Sequence, residues 1–307
     1  MHPADLSSPL RRALLALAGA PLVARAQTST SPPGPGASPG PARPLRIVAS
    51  FSILADMVRT LAPADAQVSA LVGPDADAHV YEPRPADGRR LAEADLVVVN
   101  GLGFEGWIDR LVKVSGYRGA VVVASRDLTA RRGGDPHAWQ DLAQAQRYAA
   151  TLAEALIARW PQRRAEIDAR AADYQRRLAA LDGQVRAWLE PVPRAARRVI
   201  CAHDAFGHFG DAYGVDFLAP RGWSTHSEPS AAAVARLIRQ VQAQRVRALF
   251  LENISDPRLV ERIARETGAR IGGTLYSDAL SAPGGPAATY LDMMAHNART
   301  LATALRA

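Results

Sequence analysis

From residue 45 onward, short runs rich in Val, Ile and Leu alternate with longer segments whose apolar residues recur every three or four positions. The short runs at 45–50, 67–72, 95–100 and 120–124 predict strands. The stretches between them, such as 53–61 and 105–114, predict helices. Strands alternating with helices predict a parallel sheet covered by helices on both faces. The rhythm then breaks. Residues 138–190 are almost all helix formers, interrupted at Pro161, a residue well tolerated in a first helical turn. Beyond it, Ile167, Ala171, Tyr174, Leu178, Leu181, Val185 and Trp188 are spaced 4, 3, 4, 3, 4, 3, a continuous apolar stripe. Gly183 within the stripe costs about 1 kcal/mol relative to Ala, which the stripe outweighs. At 1.5 Å per residue this helix is about 42 Å long. That exceeds one small lobe, so we read a rod lying against two lobes rather than an ordinary surface helix. Pro191 and Pro193 end it, and strands resume at 198–202, 215–219, 247–252 and 269–274, with a last helix near 289–305.

The expected fold is therefore α/β, with two lobes, each a parallel sheet flanked by helices, joined by one long linking helix. The expected bounds are 45–160 for the first lobe, 161–190 for the linking helix and 191–307 for the second lobe. No short repeat is visible.

The amino terminus supplies an address. Arg11 and Arg12 precede an apolar stretch from Ala13 to Ala24, and Ala24-Arg25-Ala26 has the small-x-small form cut by signal peptidase. The stretch is short of the about 20 residues that span a bilayer. Residues 1–26 are thus expected to be a signal peptide for periplasmic export, by the general or, on the Arg pair, the twin-arginine route. No cysteine adjoins the cut, which argues against a lipid anchor there. Residues 27–44 read as a disordered Pro/Gly/Ser tether.

Composition changes the picture in two ways. The single cysteine, Cys201, excludes an internal disulfide framework and a cysteine-rich zinc site. The formal charge of +7 falls to +5 without a leader carrying three arginines and one aspartate. The remaining arginines are interleaved with Asp and Glu, without a basic stripe or stacking aromatics, so no nucleic-acid partner is expected.

Three of the seven histidines lie just past predicted strands: His79 after the second, His137 after the fourth and at a helix start, and His203 immediately after the strand ending at Ala202. Asp278 lies past the last strand. Ligands of open α/β sheets bind beyond the carboxyl ends of strands, and a cleft between two lobes would gather these four. Three neutral imidazoles and one carboxylate suit tetrahedral zinc. Glu252, at a strand end, is a candidate partner behind a ligand. His208 is expected on a helix surface, His226 in a loop bordering the cleft, and His296 in packing or capping.

The chain resembles the periplasmic solute-binding proteins of zinc and manganese ABC importers. The resemblance rests on Val48-Ala-Ser-Phe-Ser-Ile-Leu-Ala-Asp56, His79-Val-Tyr-Glu-Pro-Arg-Pro-Ala-Asp87, Asn100-Gly-Leu-Gly-Phe-Glu-Gly-Trp107, Asp135-Pro-His-Ala-Trp139, His203-Asp-Ala-Phe-Gly207, Glu228-Pro-Ser230 and Thr274-Leu-Tyr-Ser-Asp278. It implies metal buried between two lobes, with His79, His137, His203 and Asp278 as ligands. It also implies delivery to an inner-membrane ABC permease. Manganese-handling members tend to carry a carboxylate where His203 stands, so His203 favours Zn(II) as the transported ligand over Mn(II). The long His-rich loop of many zinc-uptake members is missing between Arg126 and Gly134. A periplasmic metallochaperone is a further partner to consider, and a monomer is expected.

Two enzyme readings compete. Gly101-Leu-Gly-Phe-Glu-Gly106 has the Gly-x-Gly-x-x-Gly spacing of a dinucleotide site, with Asp127 some way downstream. It follows the third strand rather than the first, and reads better as a turn for close strand–helix packing. A zinc-dependent hydrolase would keep an open metal position and a nearby base. Four protein ligands would fill the shell, and neither His-Glu-x-x-His nor Gly-x-Ser-x-Gly occurs. No enzymatic activity is expected.

Overall fold

The computed structural model describes residues 44–306 except 129, 130, 132, 245 and 247. The expected leader, and all of the expected tether but Pro44, lie outside the described residues. The first sheet comprises β1 (Arg46–Phe51), β2 (Gln67–Val72), β3 (Leu96–Val99) and β4 (Val121–Val123), all parallel in the order β2-β1-β3-β4. Its interior strands are apolar on both faces because both are covered: Leu96, Val97, Val98 and Val99 are all buried. One face carries α1 (Ser52–Leu61) and α4 (Leu142–Arg159). The other carries α2 (Pro85–Ala92) and α3 (Ile108–Ser115) over Val48, Leu91, Val97, Ile108 and Leu111.

The long helix α5 (Arg164–Leu189) follows. It packs against α1 and α4 of the first lobe and against α6 (Gly207–Tyr213) and α9 (Tyr290–Arg306) of the second. The apolar stripe explains this: Ile167, Tyr174, Leu178, Leu181, Val185 and Leu189 are buried in one core that runs through both lobes. Trp188, expected in the stripe, is only half-buried. Arg299 lies over its ring at 4.5 Å, and Leu189 fills the core place instead.

The second sheet comprises β5 (Arg198–Ile200), β6 (Asp216–Leu218), β7 (Ala248–Glu252) and β8 (Arg270–Leu275), again parallel, in the order β6-β5-β7-β8. Helices α7 (Ala231–Gln244) and α8 (Arg258–Thr267) cover one face through Val234, Leu237, Val241, Val260 and Ile263. The second lobe thus repeats the sheet order of the first.

The helix expected at 105–114 starts later than the pattern implied. The helix read from 105 begins at Ile108 because Glu105 folds back on the turn before it. Its carboxylate accepts from Asn100 N at 2.6 Å and Gly101 N at 3.2 Å, and from Ser50 Oγ at 2.5 Å. Gly101 and Gly103 hold φ of 85° and 77°. A Cβ on Gly101 would meet Val123 Cγ1 at 2.5 Å, so this glycine serves close strand packing. The amides that a dinucleotide phosphate would need are held by Glu105.

Candidate metal centre

His79, His137, His203 and Asp278 converge beyond the carboxyl edges of the two sheets, all fully or almost fully buried. Among the described residues they form the one group of His, Cys, Asp and Glu side chains whose ligand atoms, one per residue, lie within 4.8 Å of one another. His79 Nε2 is 3.2 Å from His137 Nε2 and 3.4 Å from Asp278 Oδ2. His137 Nε2 is 3.3 Å from Asp278 Oδ1, and His203 Nε2 is 3.2 Å from Asp278 Oδ2. A tetrahedron with ligands about 2.0–2.1 Å from its centre has edges about 1.6 times as long, roughly 3.3–3.4 Å. The four observed spacings, which run to both oxygens of Asp278, match that edge, and one ligand atom from each residue lies within 4.8 Å of the others. Neither oxygen of Asp278 nor Nε2 of His203 has a well-aligned hydrogen-bond partner. Buried polar atoms left in this state carry a penalty unless a cation satisfies them.

Local structure aims each side chain. His79 sits in the loop after β2, where Asp77 Oδ1 accepts from its backbone N at 2.8 Å. The other oxygen of Asp77 accepts from Thr225 Oγ1 of the second lobe at 2.6 Å. Asp135 Oδ1 accepts from His137 N at 3.0 Å and faces its Nδ1 at 2.7 Å. Glu252, at the end of β7, accepts from Ala202 N at 2.7 Å and His203 N at 3.0 Å, while its Oε2 lies 2.6 Å from His203 Nδ1. A proton on Nδ1 turned toward these carboxylates leaves each Nε2 lone pair facing the centre. The segment carrying Asp278 is tied across the cleft: Ser277 O accepts from Trp139 Nε1 at 2.9 Å and Gln140 Nε2 at 2.8 Å. Phe104, 4.6 Å from the His79 ring, and Trp139, 5.2 Å from the His137 ring, wall the site from water.

The electrostatics follow from this crowding. Burial alone would lower the basicity of His203, but Glu252 and Asp278 outweigh it and hold the imidazole well above its usual range. His137 is raised in the same way by Asp278 and Asp135. Burial would raise Asp278, yet the facing His137 and His203 hold it well below the usual carboxylate range. The surrounding carboxylates therefore favour protons on His137 and His203 in the absence of a cation. A cation entering the centre displaces them.

The structure brings all four sequence-selected residues together and places Glu252 behind His203. His296 is half-buried, its Nε2 3.0 Å from Thr274 O, a packing role as expected. His226 is exposed and outside the four-residue cluster. His208 departs from expectation. It is buried, with Nε2 3.3 Å from Asp135 O, because the short helix α6 turns it toward the His137 loop. Asp135 was not singled out from the sequence; the signal was an aspartate two residues before a histidine in Asp-Pro-His, the spacing of a side chain capping its own turn.

Comparison with known proteins gives one consistent result. The family described as the periplasmic component A of a zinc-uptake complex matches residues 47–304. The manganese-binding lipoprotein MntA of Halalkalibacterium halodurans is 31% identical, over 91% of this chain and 91% of its own. The zinc-binding protein TroA of Treponema pallidum is 32% identical, over 84% and 88%. The solved structure of that zinc-binding protein superposes with a TM-score of 0.81 at 31% identity, covering 86% of this chain and 99% of its own. A manganese-bound form of the periplasmic metal-binding protein of Candidatus Liberibacter asiaticus, carrying an S38A substitution, superposes with a TM-score of 0.79 at 25% identity, covering 84% and 98%.

Proposed function

The chain belongs to the family of periplasmic zinc-uptake component A proteins, solute-binding proteins of metal ABC importers, and on that premise we propose that His79, His137, His203 and Asp278 enclose one Zn(II) ion for delivery to the importer. The observation that carries this reading is the set of 3.2–3.4 Å spacings among the four inner side chains. Zinc is favoured by the donor set, since a borderline cation takes three imidazoles well and harder manganese prefers oxygen. One observation favours manganese as the second reading. Both oxygens of Asp278 lie 3.2–3.4 Å from imidazole nitrogens, so a two-oxygen grip and a fifth bond are within reach. With four protein donors the shell has no open position for water, so capture rather than hydrolysis is the activity.

The wider reading follows from export. Residues 1–26 act as the signal peptide, 27–44 as a tether, and the monomeric protein works in the periplasm, docking on an inner-membrane permease. The lobes run 45–160 and 191–307, with 161–190 linking them. A periplasmic metallochaperone is a further candidate for loading. The long helix packed into both lobes limits hinge bending, so capture and release proceed by small lobe or loop shifts.

Elemental analysis of the protein purified from its own periplasm tests the reading. One zinc per chain is the expected result. One manganese would keep the importer role and overturn the selectivity. The variant His203→Asp should move the zinc-to-manganese affinity ratio toward manganese, and an unchanged ratio would remove His203 as the selecting residue.

A further inference from the structure

The outer face of the first lobe carries a feature that metal capture does not use. Helices α2 and α3 lie side by side over their small core, and an open groove of about 770 Å³ runs between them. Its apolar surface comes from Trp107, Leu111 and Val114 on one side and Ala92 on the other. Val114 is 71% exposed, whereas the other three exposed large apolar side chains among the described residues reach only 40–43%. Arg84, Arg89 and Arg110 stand at the rim, all exposed. No carboxylate lines the groove, and among the described residues none of these three arginine side chains has a carboxylate partner. Gly88 leaves one wall bare: a Cβ there would meet nothing within 4 Å. The wall positions recur at helical spacing, 85, 88, 89 and 92 opposite 107, 110, 111 and 114.

We infer that this groove receives an acidic segment with apolar anchors from the importer's membrane permease, an inference that rests on the importer reading above. Three unpaired guanidinium groups around an apolar trough call for carboxylates flanking an apolar contact. Two eight-residue helices are each about 12 Å long, the length of about two turns of a docked helix. The groove also adjoins the cargo. Trp107 Nε1 donates to Ala78 O at 2.8 Å, one residue before His79. The Trp107 ring lies 5.1 Å from that of Tyr81, whose hydroxyl donates to Asp87 Oδ2 of α2 at 2.8 Å. Both walls of the groove thus adjoin the loop that carries His79.

The test uses the full mature protein, loaded with zinc, and its permease–ATPase complex in nanodiscs. Gly88→Trp fills the groove, and the pair Arg89→Glu with Arg110→Glu reverses its rim. Zinc affinity of each free variant is measured by chelator competition beside binding to the nanodiscs. The expected result is zinc affinity within about twofold of wild type with docking weakened by about tenfold or more, and wild-type docking that weakens as salt rises. Docking within about twofold of wild type in both variants overturns the inference. So does equal binding to empty nanodiscs of the same anionic lipid, or a concentration-dependent dimer abolished by Gly88→Trp. Failure of the wild type to bind zinc is a separate result and strikes the importer reading instead.

Discussion

The two lobes share one sheet order but assemble their halves of the site differently. The last strand of each sheet, β4 and β8, leads toward one proposed ligand, His137 and Asp278. The other two proposed ligands break the correspondence. His79 follows β2 at the edge of the first sheet, whereas His203 follows β5 in the interior of the second. At the carboxyl end of the third strand of each lobe stands a residue that supports a neighbouring proposed ligand. In the first lobe this is neutral Asn100, whose Nδ2 donates to Pro136 O at 3.1 Å and whose Oδ1 accepts from Tyr148 OH at 2.6 Å. In the second lobe it is Glu252, which grips both backbone and ring of His203. The first lobe fixes His137 through an amide and a local aspartate. The second fixes His203 by a charge from another strand. His79 has no carboxylate behind its ring among the described residues. It is steered by its backbone bond to Asp77 and by Phe104. The same scaffold thus yields one edge ligand held by its loop and one interior ligand held by the sheet.

The largest expected effect removes a ligand. Roughly 10–16 kcal/mol of zinc binding is shared over four donors in small structural sites, so losing one donor lowers affinity by a hundredfold or more. His203→Ala and His79→Ala should both show this in chelator competition. Retained wild-type affinity in either would break the four-donor assignment at that residue. The next effect separates the lobes. Glu252→Gln keeps shape and removes charge, and should weaken zinc by about 10–100-fold. Asn100→Ala should weaken it by less, while costing about 1–3 kcal/mol of unfolding free energy, because Tyr148 OH and Pro136 O lose a buried partner. Equal effects of the two changes on zinc would erase the contrast between the lobes. The smallest effect is graded rather than absolute. His137 and His203 are raised above the ordinary histidine value by the carboxylates around them. Protons therefore compete with metal already above about pH 6.5. Affinity should be greatest above the raised values and fall progressively as pH drops through them. A flat profile from about pH 8 to about pH 5.5 would rule out histidine ligation.

Much of this was legible in the sequence for physical reasons. A strand buried on both faces must be apolar throughout, as in Leu96-Val-Val-Val99, and the stripe from Ile167 to Val185 needs only helical periodicity to be seen. The four inner residues stood out because each follows a strand. What was not legible depends on contacts between distant segments. The late start of α3 comes from Glu105 capping its own turn, which competes with helix propensity. The burial of His208 comes from how α6 docks on the His137 loop. The tie from Trp139 and Gln140 to Ser277 joins residues more than a hundred positions apart, and no local pattern reports it.

Closure of three imidazoles and one carboxylate around the cargo is tested most directly by the zinc X-ray absorption spectrum of the loaded protein. The expected spectrum has about four nitrogen or oxygen neighbours at about 2.0–2.1 Å, with outer scattering from three imidazoles that drops to two in His203→Ala. A spectrum with six oxygen-type neighbours and no imidazole scattering, or an imidazole count unchanged by His203→Ala, would contradict it.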